Sequence, residues 1–231
     1  MADAAHEGNC YNSTVELVDP NDFIITRKRK KYKFALFSNS PLCFEYDEWP
    51  RDATVDVVEV GAGNAHFLVE LATRHPQQQF VALDVKGDRL QSGARLAESR
   101  SLANIRFVRA RADQVSELFR AGSVTDIWLT FSDPFPRKGS AGRRMSHPDF
   151  LRKYAGVLHP GGNLLVKHDN RDFFCWSLEQ LVSEKWQLRE LSFDLHESTL
   201  SDDYKILTAY EKRWLDEGLL TQFLCAQPPD R

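Results

Sequence analysis

From residue 54 onward, apolar positions recur in two alternating rhythms. Val55, Val57, Val58 and Val60 make a β-branched run that ends at Gly61-Ala62-Gly63, as a buried strand closing on a tight turn would. Phe67, Leu68, Leu71 and Ala72 then repeat at helical spacing until Pro76. The same alternation predicts strands over 80–85, 105–108, 126–131 and 163–166, and helices over 89–100, 114–120, 148–158 and 173–182. Strands and helices alternating at this spacing imply a parallel sheet with helices on both faces. Two further strand-like stretches, 186–195 and 205–210, have no long helix between them and predict an antiparallel pair closing the sheet. The expectation is one α/β domain over residues 51–231, with a mostly parallel, seven-stranded sheet.

Residues 1–50 predict a basic, partly flexible extension. Residues 1–25 are polar and aperiodic, and Arg27, Lys28, Arg29, Lys30, Lys31 and Lys33 follow. Three readings of that run stay open: a solvated tail, a nuclear-localisation type signal, or an arm along a phosphate backbone. Tyr32 and Phe34 favour the arm, since aromatic rings among cations stack on bases. The segment PLCFEYDEW (41–49) is expected to dock on the main domain.

Composition narrows the partners. The 231 residues are 42% hydrophobic and 27% charged, ordinary for a globular chain. A net charge of -3 leaves no bulk attraction to nucleic acid, so any polyanion site must come from local clusters. Apolar runs fall short of a membrane span, and MADAAHEGNCYN lacks a signal-peptide layout. Cys10, Cys43, Cys175 and Cys225 form no CxxC pair, which argues against a zinc site or disulfide framework. A cytoplasmic location is the plain expectation.

Candidate chemistry clusters at predicted strand ends. Residues 126–144, DIWLTFSDPFPRKGSAGRR, run from an apolar strand through Asp133 to Pro134 and Pro136, then to Arg137, Lys138, Arg143 and Arg144. An acid at a strand's carboxyl end before a cationic loop fits a site for a polyanion. The turn Gly61-Ala62-Gly63 is of dinucleotide type, but its third glycine position holds His66. Glu59 lies just before the turn, where a strand acid needs a donor or cation. Asp84 ends the next strand, where an acid accepts ribose hydroxyls. A nicotinamide cofactor would share Asp84 but not need Glu59. S-adenosylmethionine, with a ribose, an amino-acid tail and no pyrophosphate, fits better.

With VEVGAGN, VALDV, FSDPFPRK…RR, VKHDNRDFFCWSL, FDLHES and LTAYEKRW in order, the chain resembles the bacterial tRNA (guanine-N7-)-methyltransferases from about Val55 to its C-terminus. The resemblance implies a Rossmann-like S-adenosylmethionine-dependent methyltransferase fold that methylates N7 of the variable-loop guanosine 46 of tRNA. It implies cofactor contacts from Glu59, Gly61, Gly63 and Asp84. The family's adenine-contacting acid falls in a slot that here reads Arg111-Ala112-Asp113, leaving Asp113 or the main chain of Ala112 for that contact. Asp133 matches the catalytic acid. Arg137, Arg143, Arg144, Asp169, Thr208 and Glu211 match substrate positions, although Gly139-Ser140-Ala141-Gly142 replaces a usual basic run. His168 stands where a threonine is usual and reads as a strand-end polar residue before a catalyst, and Tyr210 is expected to pack, with base stacking as the second reading. The partner implied is tRNA, with no membrane or metal, and a monomer or homodimer. Competing readings are a non-catalytic RNA-binding protein of the same fold, an amino-group methyltransferase suggested by SDPF, and a nicotinamide dehydrogenase.

Overall fold

The computed structural model describes residues 17–25 and 27–230. Most of the expected polar leader, with Cys10, therefore lies outside the described residues. The first long element is helix α1, Lys28–Ser38. A three-residue strand, β1 (Cys43–Glu45), follows it. The predicted alternation then appears as β2 (Val57–Val60), α2 (His66–Arg74), β3 (Phe80–Asp84), α3 (Gly87–Ser99), β4 (Ile105–Arg109) and the short α4 (Val115–Leu118). It continues through β5 (Val124–Thr130), α5 (Pro148–Val157), β6 (Leu158–His168), α6 (Arg171–Ser183) and β7 (Gln187–Ser192). Helix α7 (Ala209–Asp216) and strand β8 (Gln222–Gln227) end the chain's regular structure.

The sheet has eight strands in the order β1-β4-β3-β2-β5-β6-β8-β7. The strands from β1 to β6 pair in parallel, and β8 runs antiparallel between β6 and β7. Alternate side chains of each strand serve the two faces. Val58, Val60, Ile127, Leu129, Leu164 and Val166 join one apolar cluster with Leu151 and Tyr154 of α5 and Phe174 of α6. Val57, Trp128 and Leu165 join the other, with Phe67 and Leu71 of α2 and Leu90 of α3. The expected mostly parallel sheet with helices on both faces is therefore present.

Three local expectations change. The segment 41–49 supplies an eighth strand, pairing Cys43 with Phe107 of β4. Residues 205–210 are not a strand, because Thr208 starts α7. Its Oγ1 accepts from the Glu211 amide at 2.9 Å, and Glu211 Oε2 accepts from the Thr208 amide at 3.2 Å. That reciprocal pair is a capping box, and its T-x-x-E spacing was readable in TAYE. The reversed strand is instead QFLCAQ, whose Phe223, Leu224, Cys225 and Ala226 are buried. Finally, the basic run is helical from Lys28 onward. Its Phe34 is engaged rather than free to stack on a base: Phe23 lies 5.9 Å away and the Arg109 guanidinium 5.4 Å away. Tyr32 remains exposed.

Helix α3 crosses the turn after β2 at Gly93. A Cβ there would stand 2.6 Å from the Asn64 carbonyl and 2.8 Å from the Phe107 ring. Overpacking of this kind costs about 1–3 kcal/mol. Gly93→Ala should therefore lower the stability measured by urea titration by that amount, and an unchanged midpoint would refute the close packing.

Candidate active site

The chain leaves β2 toward β3 and β4 on one side, then returns to β5 on the other. A reversal of strand order opens a crevice above the carboxyl ends of the central strands. Glu59, Asp84, Asp133 and Asp169 all lie at or just beyond that edge, at the ends of β2, β3, β5 and β6.

Glu59 shares a sheet face with Val57 and is 1% exposed. Its Oε1 accepts a hydrogen bond from the Thr130 hydroxyl at the end of β5. Its Oε2 has no partner among the described residues. Burial pushes this carboxyl up to about 8, with Asp84 adding to the rise and Thr130, Lys167 and the Leu68 amide opposing it. A buried oxygen left without a donor is costly. A ligand that brings an ammonium to this point would remove the deficit.

The turn above Glu59 depends on glycine. Gly61 has φ +76°, and a Cβ on it would meet the Met145 methyl at 2.7 Å. Met145 therefore lies against the turn, bringing the loop after β5 over the end of β2. Gly63, at φ +56°, donates its amide to Asp84 Oδ2 at 2.9 Å, while Asp84 Oδ1 accepts from the Lys86 amide at 2.8 Å. An ionised carboxylate has about four lone-pair sites, so Asp84 keeps capacity for two hydroxyls. His66, in the third glycine position, opens α2 and bonds Ser92 at 3.1 Å. Beyond β4, both oxygens of Asp113 are taken by the Arg111 guanidinium. That pairing holds the Asp113 carboxyl below the usual carboxylate range, the Arg111 hydrogen bond being the largest cause.

Asp133 is exposed and has no side-chain partner among the described residues. Its loop is bounded by Phe131 at φ +47° and Phe135 at φ +40°. Left-handed backbone at a bulky residue costs on the order of 1–3 kcal/mol and persists only when surroundings hold it. Part of that hold comes from Arg144, whose guanidinium donates to the carbonyls of Pro134 at 3.0 Å and Phe135 at 3.2 Å. The same group lies 4.3 Å from the Trp176 ring of α6. Arg144 is thus an internal brace rather than a free cation. Arg143 is exposed over the Phe135 ring at 4.4 Å, and Arg137 precedes the 3-10 turn Lys138–Arg143. The glycine-rich insert folds into that turn.

Asp169 is half-buried, and its Oδ2 accepts from the Tyr210 hydroxyl at 3.1 Å. Tyr210 therefore does more than pack. Glu211, 1% exposed, is saturated: Lys167, Thr208, His196 and Thr221 all donate to it. Its contact with Lys167 is 3.0 Å, and Lys167 is itself fully buried. Thr208 is consumed as the cap of α7. Sequence reasoning missed Thr130, Met145 and Lys167. Lys167 had a signal, since a lysine directly after Leu164-Leu165-Val166 must find a buried partner. Among the described residues no group of His, Cys, Asp and Glu is arranged to hold a metal ion, and no helix is long and apolar enough to cross a membrane.

Residues 53–222 match the family model described as "Putative methyltransferase". A tRNA (guanine-N(7)-)-methyltransferase of Brevibacillus brevis is 37% identical over 161 residues, covering 70% of this chain and 75% of the relative. One from Cytophaga hutchinsonii is 34% identical over 183 residues, covering 78% and 83%. Among solved structures, the 16S rRNA methyltransferase KamB superposes with TM-score 0.58 at 19% identity, covering 78% of this chain and 91% of the other. The 16S rRNA (adenine(1408)-N(1))-methyltransferase from Catenulisporales acidiphilia gives 0.55 at 17% identity, covering 92% of this chain and 94% of the other. At those identities the likeness is one of fold.

Glu59 generates a pH test that needs no ligand. Its ordinary value is 4.5 and its folded value about 8, so between them the folded protein keeps a proton that the unfolded chain has lost. The stabilisation is complete below the lower value and declines as pH rises toward the upper one, by at most about 1.4 kcal/mol per pH unit. Glu59→Gln should flatten that decline in denaturant melts between pH 5 and 8. Parallel curves for the two proteins would refute the assignment.

Proposed function

We propose that this chain, which belongs to the tRNA (guanine-N(7)-)-methyltransferase family, transfers a methyl group from S-adenosylmethionine to N7 of a tRNA guanosine, the variable-loop guanosine 46. The observation that carries the reading is Glu59, buried at the switch point with one oxygen unpartnered among the described residues, on the same sheet edge as Asp84 and the exposed Asp133.

The residues present fit the cofactor. Glu59 Oε2 suits its α-ammonium, Asp84 its ribose hydroxyls, and Gly61 and Gly63 allow close approach of its chain. For the adenine end the main chain of Ala112 is the better candidate, because Asp113, though it keeps lone pairs, is oriented toward and charge-paired with the Arg111 guanidinium. When bound, S-adenosylmethionine supplies a methyl group activated by a positively charged sulfur. Guanine N7 carries a lone pair and no proton, so the protein needs no general base there. Asp133 has two tasks: accepting hydrogen bonds from guanine N1–H and the exocyclic amine, and offsetting the positive charge that grows on the purine. Asp169, steadied by Tyr210, is the second acceptor for the base. Arg137 and Arg143 are the cations for phosphate, while Arg144, Thr208 and Glu211 act by building the site.

Residues 51–231 form the catalytic domain in this reading, and the preceding extension faces RNA. Lys28, Arg29 and Lys30 are exposed in the first turn of α1, which contains no acidic residue. Cations at the positive end of a helix dipole are unfavourable unless an anion approaches. A tRNA phosphate meets that need and offsets the charge that the glycine-rich insert lacks.

Incubation with unmodified tRNA and S-adenosylmethionine should yield N7-methylguanosine by nucleoside mass spectrometry. Bound cofactor with no methylated nucleoside would overturn the reading in favour of a non-catalytic RNA-binding protein, and methyl on an exocyclic nitrogen would favour an amino-group enzyme. Asp133→Ala should lower single-turnover methyl transfer by about 100-fold, the scale expected for lost positioning. Affinity for S-adenosylhomocysteine should stay within about threefold, since this acid faces the base. Equal losses would instead make Asp133 a cofactor ligand. Replacing Lys28, Arg29 and Lys30 by Gln should reduce the slope of log affinity for tRNA against log salt by roughly 0.7–0.9 for each phosphate no longer neutralised. An unchanged slope would remove α1 from the interface.

A further inference from the structure

Asp133 has no side-chain bond of its own among the described residues, so its place is set by the main chain of its loop. That main chain is held at its start by the Phe131 amide, which donates to the Lys167 carbonyl at 2.9 Å, and beyond it at three carbonyls. Arg144 holds Pro134 and Phe135, and the third, Ser132, accepts from His168 Nε2 at 2.8 Å. His168 ends β6 and is 3% exposed. Its ring lies 4.5 Å from Phe173 and 6.2 Å from Phe131, between the first turn of α6 and the residue where the β5 loop turns left-handed. The other nitrogen, Nδ1, accepts from the Asn170 amide at 2.8 Å and also stands 3.2 Å from Asp169 Oδ1. The two shorter contacts assign the tautomer: the Asn170 amide can only donate to Nδ1 and the Ser132 carbonyl can only accept from Nε2, so the imidazole proton sits on Nε2, against the longer Asp169 contact at Nδ1. Asn170 in turn caps α6 through Oδ1 to the Phe173 amide at 2.8 Å. One buried ring therefore ties the loop that carries Asp133 to the turn that carries Asp169 and Asn170.

We propose that His168 is a positioning residue for methyl transfer: as the Nε2–H tautomer, its bond to the Ser132 carbonyl sets Asp133 relative to Asp169, so that both carboxylates address one guanine. The inference rests on the functional reading above. It gives His168 a role through Asp133, without contact to substrate or cofactor. Three features make the bond matter. Left-handed Phe131 and Phe135 are strained positions that persist only while surrounding contacts hold them. Arg144 braces only the far half of the loop. A misplacement of about 1 Å in a reacting group costs on the order of 100-fold in rate.

The test compares three replacements with wild type in single-turnover methyl transfer to unmodified tRNA, together with S-adenosylhomocysteine affinity by calorimetry. His168→Gln places an amide donor near the original Nε2, His168→Asn places its polar atoms near Nδ1 without reaching Ser132, and His168→Ala has neither. The expected result is a rate about 100-fold lower for Ala and Asn and within about tenfold of wild type for Gln. Cofactor affinity should stay within about threefold throughout, as for any residue that acts on the base. The imidazole 15N spectrum of wild type should carry the Nε2–H signature for His168. Because Ala leaves a buried gap, the decision rests on Gln against Asn: Asn as active as Gln, or an Nδ1–H tautomer, overturns the proposal. A wild-type protein that binds cofactor but methylates no guanosine overturns the functional reading instead.

Discussion

The carboxyl edge of the sheet is anchored by a buried ion pair. Lys167 continues the apolar end of β6 into the interior, and its ammonium meets Glu211 of α7 and the carbonyl of Ile206 at 2.9 Å. The rings of Phe67 and Phe131 lie 5.4 and 5.8 Å from it. Burial lowers the pKa of Lys167, and the charges of Glu211 and Glu59 counter that effect. Removing one partner of such a pair costs about 3–5 kcal/mol, because the other is left charged and dry. His196 and Thr221 also donate to Glu211, so one carboxylate gathers the segment after β7, the start of α7, the approach to β8 and the end of β6.

That anchorage explains how α7 contributes to the site. Once Glu211 fixes the first turn of α7, Tyr210 beside it reaches Asp169. The acids of the edge then divide by what their surroundings leave them. Glu211 is saturated and structural, Asp113 is paired on the surface, and Asp84 is half used in shaping the glycine turn. Glu59 is buried with an oxygen to spare, and Asp133 is exposed and unpartnered among the described residues. These two and the spare half of Asp84 carry unmet hydrogen-bonding capacity, which is what a ligand can use.

Loops do the rest of the work, under restraint. Met145 brings the segment after β5 against Gly61, so the cationic loop and the glycine turn share a contact. Arg143 and Arg144 are neighbours with opposite fates. One lies over Phe135 in solvent, and the other is folded back onto two carbonyls and an indole. A double arginine in a sequence reads as charge, yet here half of it is scaffold.

Much of this was legible beforehand, and the limits are local. The strands from 55 to 168, the helices between them and the acids at their ends follow from period-two and helical spacing, which depend on neighbours in sequence. The glycine turn with Glu59 and Asp84 was legible for the same reason, since strand ends are local features and parallel strands bring them to one edge. The antiparallel strand expected at KILTAY (205–210) lies elsewhere because that stretch has strand-like composition but runs into the T-x-x-E capping box, which prevails once Glu211 can also reach Lys167. Whether an acid serves a ligand or the scaffold was not legible, because its partners lie far along the chain: 44 residues separate Lys167 from Glu211, and 36 separate Ser132 from His168. The sequence alone determined where charged groups stand on the sheet. Only the tertiary structure decided which of them are already spent, because hydrogen-bonding capacity is used up by contacts that no local pattern encodes.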